Sequence, residues 1–333
     1  MNHIYSLESF QASAVLAAPL TRRSANGPVI STNLQDPAIL NIGSTYYAYA
    51  GPNGNPPVNV ITAISTDFST WSVSDSEALP NPGAWAAAIP HVWSPDVIQL
   101  ANGRYVLYYA AITAEDSNKH CVGAATSDTP TGPFAPADTS LYCDLDSGGA
   151  IDPDGFRDPV TDNQYVVYKV DGNSVGHGGD CGNSVDPIAP TPLVLQQVSA
   201  DDGISPIGAG TIILTNNADD GPNIEAPALV CDGNTQQYML FFTSGWFTTS
   251  AYNIQYATAS SVTGPYTRRG TFLANGDTAA DVYVPGGPDV DPVTTRLVFH
   301  GDLNMGWFQN DGSKRVRGMY ASSVNWGSDG QSQ

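Results

Sequence analysis

The sequence repeats one pattern five times, with a period of about 60 residues. Each copy opens with an acidic residue beside a proline and continues with an apolar segment, a polar turn and an aromatic-rich segment. Successive opening prolines are 58, 58, 74 and 61 positions apart; they are Pro37, Pro95, Pro153, Pro227 and Pro288. A period of this length is typical of folds built from stacked or radially arranged units.

Each copy is predicted to contain four antiparallel strands. Turn sequences such as Asn102-Gly103 separate the first two segments, which favours a β-hairpin. Further strands follow, with similar endings such as SDTPTGPF and SSVTGPYT. Four strands repeated five times predict an all-β, five-bladed β-propeller, because radial repetition leaves few exposed sheet edges. The alternative, two β-sandwich domains, would not account for five similar openings.

Composition agrees with a single all-β domain. Of the 32 acidic residues among 333, 28 are Asp and four are Glu, and Lys occurs only three times. Because Glu and Lys commonly fill exposed helix faces, we expect little helix. We place an N-terminal extension at residues 1–30 and a single catalytic propeller domain at residues 31–333.

The charge of the chain restricts its partners. Its 32 acidic and 12 basic residues give a formal net charge of −20. Nucleic acids and anionic membrane surfaces are therefore disfavoured, because both bind through basic patches. No apolar run reaches the roughly 18 residues that a membrane-spanning helix needs.

The four cysteines lack the spacing of a metal knuckle and favour two disulfides, Cys121–Cys143 and Cys181–Cys231. Two other pairings are open, and so is a set of four buried thiols. Disulfides in an acidic, Lys-poor chain indicate a secreted, extracellular protein, which we expect to be a monomer. Residues 1–20 lack the basic and continuous apolar regions of a secretory signal, so we expect a processed or recombinant form.

The recurrent acidic residues are candidates for a common site. They lie at the starts of the predicted innermost strands, and we expect all five to meet where the central channel opens; they are Asp36, Asp96, Asp152, Glu225 and Asp289. Converging buried carboxylates are costly unless they are paired or used in chemistry.

Three of these residues suit an acid–base reaction. Glu225 has apolar sequence neighbours, and an apolar setting favours the protonated carboxyl that a general acid needs. Asp36 and Asp152 each precede a proline, which restricts the backbone beside the acid. Carboxyl groups in one cavity suit glycoside hydrolysis, which requires one protonated acid and one ionised base or nucleophile.

The ordered motifs resemble glycoside hydrolase family 43, whose members are five-bladed propellers that degrade arabinan and xylan. The resemblance extends from Asn33 to Trp326, through the segments LQDPAIL, HVWSPDVIQLANGRYVLYYAA, AIDPDGF, IEAPALV and RGMYASSVNW. It implies that Asp36 is the general base, Glu225 the general acid, and Asp152 the residue that tunes and orients the acid. Since the family inverts anomeric configuration, Asp36 and Glu225 should lie about 6.5–9.5 Å apart.

The same resemblance suggests three substrate-binding residues. Arg317 matches an arginine that contacts the innermost sugar, and Trp93 matches an aromatic residue that forms a wall of the pocket. Many members have Pro-Gly-His in the fifth blade, near a channel cation, whereas this chain has Gly287 at the histidine position. His300 is a candidate for part of that role. No cofactor is required for the chemistry, and a structural cation such as calcium in the channel is an open expectation, with no metal ligands assigned.

The resemblance favours an enzyme that removes α-L-arabinofuranosyl residues, acting exo-wise on α-1,5-arabinan. Inserted loops, residues 75–88 and 171–181, could close one end of the cleft. A β-xylosidase and an endo-arabinanase of the same family are alternatives. A fructan hydrolase is a third, because Phe156-Arg157-Asp158-Pro159 contains that clan's Arg-Asp-Pro motif and would make Asp158 the middle carboxylate. A non-catalytic sugar-binding propeller is the fourth, although it would have no use for three converging carboxylates.

Overall fold

Five antiparallel sheets follow one another along the chain, and they confirm the predicted five-bladed β-propeller. The computed structural model describes residues 21–22, 26–51, 58–277, 281–303 and 315–325. Within these ranges, helix is limited to three short 3-10 turns, as the scarcity of Glu and Lys predicted. None of the described helices is long and apolar enough to cross a membrane.

Each blade is a sheet whose strands run outward from the channel in chain order, except at the ring closure. Blade 1 contains β3 (Ala38–Ile42), β4 (Thr45–Ala50), β5 (Ile61–Ser65) and β6 (Ser72–Val73). Blade 2 contains β7 (Trp93–Gln99), β8 (Tyr105–Ile112), β9 (His120–Ser127) and β10 (Ala135–Pro136). Blade 3 contains β11 (Ala150–Arg157), β12 (Gln164–Val170), β13 (Leu193–Val198) and β14 (Thr211–Leu214). Blade 4 contains β15 (Ile224–Asp232), β16 (Gln237–Ser244), β17 (Asn253–Ala259) and β18 (Thr267–Leu273).

The fifth blade joins the two ends of the chain. Its inner strands are β19 (Gly286–Val290), β20 (Arg296–Asp302) and β21 (Arg317–Asn325). The early strands β1 (Thr21–Arg22) and β2 (Asn26–Ile30) pair with β21 on its outer side. The predicted extension of residues 1–30 therefore includes strands that belong to the last blade, and residues 1–20 and 23–25 lie outside the described ranges.

The hydrophobic core is divided into five clusters, one between each pair of neighbouring blades. Alternate residues of a strand point to opposite faces of its sheet, so strands covered on both faces contribute to two clusters. Tyr108 and Tyr109 on β8 illustrate this, because they are both fully buried but pack toward blades 3 and 1 respectively. Packing on both faces fixes the blades around the channel.

The cysteines follow the prediction only in part. Cys121 on β9 is bonded to Cys143, with 4.7 Å between the Cα atoms. The predicted Cys181–Cys231 bond is wrong, since both residues are free and buried. Cys231 lies near the outer end of β15, six residues or roughly 20 Å of extended strand beyond Glu225. Cys181 instead lies beside the cavity that Glu225 lines, so the two thiols are too far apart to bond.

Candidate active site

The residue before each opening proline adopts a left-handed backbone conformation in all five blades. The φ angles are between 40° and 54°, for Asp36, Ser94, Asp152, Ala226 and Gly287. Four of these residues are not glycine, and positive φ at such positions is strained and concentrates at functional sites. The five residues line one end of the central channel, and two of them are predicted catalytic carboxylates.

Asp36 in blade 1 is held in its ionised form. Its Oδ1 lies 3.6 Å from Nη1 of Arg317 and 3.1 Å from Nδ1 of His300. Burial alone would raise the pKa of Asp36, but the charge of Arg317 and the contact with His300 lower it well below its usual range. An ionised carboxylate in this position can accept a proton from water.

His300 lies beside Asp36 and Gly287, at the position of the fifth-blade histidine of the family. It is fully buried and is not among the described residues that line the cavity. Burial lowers its pKa, which favours a neutral ring; Nδ1 lies 3.1 Å from the Asp36 carboxylate and accepts from the Asp36 amide at 3.3 Å. Gly287 makes room for this contact, because a Cβ there would lie 3.0 Å from both the Asp36 carboxylate and Nδ1 of His300.

Asp152 in blade 3 connects three blades at the site. Its Oδ1 accepts a hydrogen bond from the Ser94 hydroxyl at 2.7 Å, and its Oδ2 accepts one from the Ala226 amide at 2.9 Å. Burial and the neighbouring charge of Glu225 raise the pKa of Asp152 to about 7. The bond to Ala226 fixes the peptide that carries Glu225.

Glu225 in blade 4 is bonded at both carboxylate oxygens. The Tyr252 hydroxyl donates to Oε1 at 2.7 Å, and the Lys169 ammonium donates to Oε2 at 3.2 Å. The Lys169 side chain is only 1% exposed. Both donors come from elsewhere in the chain, Lys169 from blade 3 and Tyr252 from the segment before β17.

A cavity of about 330 Å³ brings these side chains together. Asp36, Asp152, Glu225 and Arg317 all line it. Its walls also carry four aromatic side chains, Trp93, Trp246, Phe247 and Tyr252. Trp93 is 37% exposed and stacks on His120 at 3.7 Å between ring centroids, while it also lines the cavity.

Comparison with known proteins identifies the family of the chain. A model of glycosyl hydrolases family 43 matches residues 25–332. The chain belongs to glycosyl hydrolase family 43. A solved thermostable family 43 glycoside hydrolase has the same fold, with a TM-score of 0.69, 20% sequence identity, and coverage of 90% of this chain and 92% of that one.

Two curated relatives of this family 43 protein are named as extracellular endo-α-(1→5)-L-arabinanases. The relative from Thermotoga petrophila is 26% identical over 264 residues, which cover 70% of this chain and 50% of the relative. The second, from Bacillus subtilis, is 26% identical over 305 residues, which cover 85% of this chain and 59% of the relative. The chain thus matches only about half to three-fifths of the length of either relative.

Two of the five predicted site carboxylates lie elsewhere in this family 43 propeller. Asp96 and Asp289 follow their prolines by one position, whereas Asp36 and Asp152 precede theirs, so they lie two residues further along the strand, roughly 6.5 Å deeper. With Asp154 they form a second layer. Each carboxylate there accepts a hydrogen bond from an amide of the next blade, namely Asp96 from Gly155, Asp154 from Leu229, and Asp289 from Ile39. These residues connect blades and are not among those that line the cavity of about 330 Å³.

This second layer makes a prediction about stability. Burial, with the charge of Asp289, raises the pKa of Asp96 to about 8. The folded state therefore keeps a proton that the unfolded chain releases near pH 4, and its stability falls as pH rises from about 4 to about 8. Asp96→Asn keeps an acceptor for Gly155 without the charge. Relative to the native chain, its free energy of unfolding should improve by about 1–3 kcal/mol between pH 5 and pH 8. Urea unfolding at both values measures this, and parallel pH dependences would contradict it.

The described residues of the channel form no cluster of metal ligands for the expected cation. Among the described residues, no three His, Cys, Asp or Glu side chains are grouped closely enough to hold a metal ion. Asp96, Asp154 and Asp289 each use an oxygen on an amide, and His300 faces Asp36. No step described below uses a cation.

Asp158, the middle carboxylate of the fructan-hydrolase alternative, does not reach the site. It lies in the turn between β11 and β12, six residues from Asp152 along the chain. Its side chain accepts hydrogen bonds from the turn residues Val160 and Thr161 and from Tyr238. These contacts are typical of a structural turn residue. The fructan-hydrolase alternative therefore has no support from Asp158, because this carboxylate does not line the cavity.

The sequence prediction omitted several residues that complete the site. Lys169 could have been recognised from the sequence, because it is a charged residue within the otherwise apolar end of β12. Tyr252, Trp246 and Phe247 could not, because aromatic residues occur throughout the blades. The position of Trp326, used to align Arg317, lies outside the described residues.

Proposed function

We propose that this chain is an inverting endo-α-1,5-L-arabinanase. One observation carries the catalytic part of the proposal: the same cavity is lined by Asp36, which contacts Arg317 and His300, and by Glu225, whose following peptide donates to Asp152. Arg317 and His300 keep Asp36 ionised, whereas burial and Glu225 raise the pKa of Asp152 to about 7. Opposite displacement of neighbouring titratable groups is typical of sites that need an acid and a base at the same pH.

The roles follow from the contacts. Asp36 is the general base that removes a proton from the attacking water. Glu225 is the general acid that protonates the departing sugar oxygen. Asp152 and Glu225 are like charges in one buried site, and the charge of Glu225 helps to raise the pKa of Asp152. Asp152 also orients the acid through the Ala226 amide.

Arg317 and Trp93 are the proposed substrate-binding residues. Arg317 lies between the Asp36 carboxylate and the Phe247 ring, 5.8 Å from the ring centroid. Its guanidinium lines the cavity, where unused N–H groups can donate to sugar hydroxyls. Trp93 offers a flat apolar face for the sugar ring.

The choice of arabinan and of endo action is supported by the relatives. Three curated proteins similar to this chain are named endo-arabinanases, including a second Bacillus subtilis protein of which the match covers 76%. They favour the endo alternative over the exo-acting arabinofuranosidase that the sequence analysis placed first. Their names also describe extracellular proteins, which, with the Cys121–Cys143 disulfide, supports secretion of this chain.

Digestion of linear α-1,5-arabinan tests the proposal. Early products should be a series of arabino-oligosaccharides, and the viscosity of the solution should fall much faster than reducing ends appear. Arabinose as the sole early product would contradict endo action and favour the exo enzyme. Release of xylose from arabinoxylan, with arabinan untouched, would overturn the substrate. Preparations of Glu225→Gln serve as the control for contaminating hydrolases.

A further inference from the structure

Lys169 is a buried cation at the centre of the site whose role the reaction scheme leaves open. It is one of only three lysines in the chain and lies near the end of β12, beneath the cavity. Lysine is almost never fully buried unless it is paired. A buried lysine beside the proposed acid, in a chain with so few lysines, indicates a specific role.

The ammonium group of Lys169 is fully bonded by acceptors from three different residues. Asn173 Oδ1 lies at 2.6 Å, Asp171 Oδ1 at 3.1 Å and Glu225 Oε2 at 3.2 Å. An ammonium has three N–H donors, so these contacts use them all. Asp171 alone would balance the positive charge of the Lys169 ammonium. The additional contact with Glu225 places that positive charge directly beside the proposed acid.

The bonds to Glu225 fix its orientation. Lys169 holds one oxygen and Tyr252 holds the other, while Asp152 fixes the following peptide. A carboxyl restrained at both oxygens keeps the geometry that proton delivery requires. The segment of residues 171–181, a loop that could close one end of the cleft, supplies two of the acceptors of Lys169, Asp171 and Asn173.

The surrounding charges determine how strongly Lys169 acts on the acid. Burial alone would lower the pKa of Lys169, but Asp171, Glu225 and Asp152 together raise it, so the ammonium stays charged. The other groups that face this cluster are Tyr252, Cys181, Asp36 and Arg317. Lys169 is therefore the positive charge in direct contact with Glu225, whereas Arg317 contacts Asp36.

We propose that Lys169 is a positioning residue that holds the Glu225 carboxyl in place through a direct ion pair, and that its charge limits activity at the basic end of the pH range. The proposal rests on the assignment of Glu225 as the general acid. Asp171 opposes Lys169, because it reduces the positive charge that Glu225 experiences. The two residues should thus move the pH dependence of the enzyme in opposite directions.

The test is the pH profile of kcat/KM on arabinan for paired variants. Lys169→Met removes the positive charge, so the basic limb should move to higher pH by about one unit or more, and turnover should fall. Asp171→Asn leaves the ammonium without its counter-charge, so the basic limb should move to lower pH. Lys169→Arg should keep the limb near its native position. Arg104→Met, which removes an exposed positive charge at the turn between β7 and β8, is the matched control and should move neither limb.

A second measurement separates this proposal from the proposed function. The carboxyl infrared band of Glu225, identified by its loss in Glu225→Gln, reports protonation without substrate. It should persist to higher pH in Lys169→Met and disappear at lower pH in Asp171→Asn. Absence of arabinan hydrolysis in the native enzyme would contradict the proposed function alone, because the band still tests Lys169. If neither the basic limb of the pH profile nor the Glu225 band moves in Lys169→Met and Asp171→Asn, the proposal is overturned and Lys169 is a structural residue. If Lys169→Met does not fold, the shift in Asp171→Asn decides.

Discussion

Glu225→Gln is expected to lower kcat on arabinan by about 10³-fold, while the loss on an aryl arabinofuranoside with a good leaving group is expected to be small. The substitution preserves the shape of the side chain and removes the proton that the leaving sugar oxygen needs. A dinitrophenolate departs without protonation, so the general acid contributes little to its release. Steady-state kinetics on both substrates measure the difference.

The contrast between the two substrates identifies the role of Glu225. Glu115→Gln, the same chemical change at an exposed position, is the control and should leave both activities unchanged. Equal losses on the two substrates would show that Glu225 does not act as the acid. A cooperative thermal unfolding transition of Glu225→Gln, with at most a modest fall in Tm, would establish that the loss is chemical; the fall reflects the lost charge interaction with Lys169.

Asp36→Asn is expected to lower kcat by about 10³-fold or more on both substrates alike. Water must be activated whatever the leaving group is, and an amide cannot accept its proton. The amide also loses its charge interaction with Arg317, so a rise in KM is expected. The same two assays measure the effect.

Asp128→Asn is the matched control for this variant, since the Asp128 side chain is 89% exposed. It should behave like the native enzyme on both substrates. A loss confined to arabinan in Asp36→Asn would reverse the roles of Asp36 and Glu225. Retained activity on both substrates would remove Asp36 from the reaction.

The five-bladed fold could be predicted because the period of the repeat and the turn chemistry are both local properties of the sequence. What the repeat did not reveal is register. Asp96 and Asp152 look alike beside their prolines, yet one follows its proline and the other precedes it. A displacement of two residues moves a side chain to another layer of the channel, where it binds an amide instead of lining the cavity.

The contacts around the acid could not be predicted, because they join distant parts of the chain. Glu225 has no basic sequence neighbour, but folding brings Lys169 from the preceding blade to it. Lys169 is satisfied only together with Asp171 and Asn173, whose positions depend on the conformation of the segment after β12. Likewise, the even number of cysteines favoured two disulfides, although blade geometry keeps Cys231 away from Cys181.

The stereochemistry of hydrolysis tests the central claim most directly. If Asp36 activates water while Glu225 protonates the leaving oxygen, a single displacement at the anomeric carbon inverts its configuration. Proton NMR of α-1,5-arabino-oligosaccharide cleavage, recorded faster than mutarotation, should show the β-anomer as the first product. Initial appearance of the α-anomer would mean a covalent intermediate and would contradict these roles for Asp36 and Glu225.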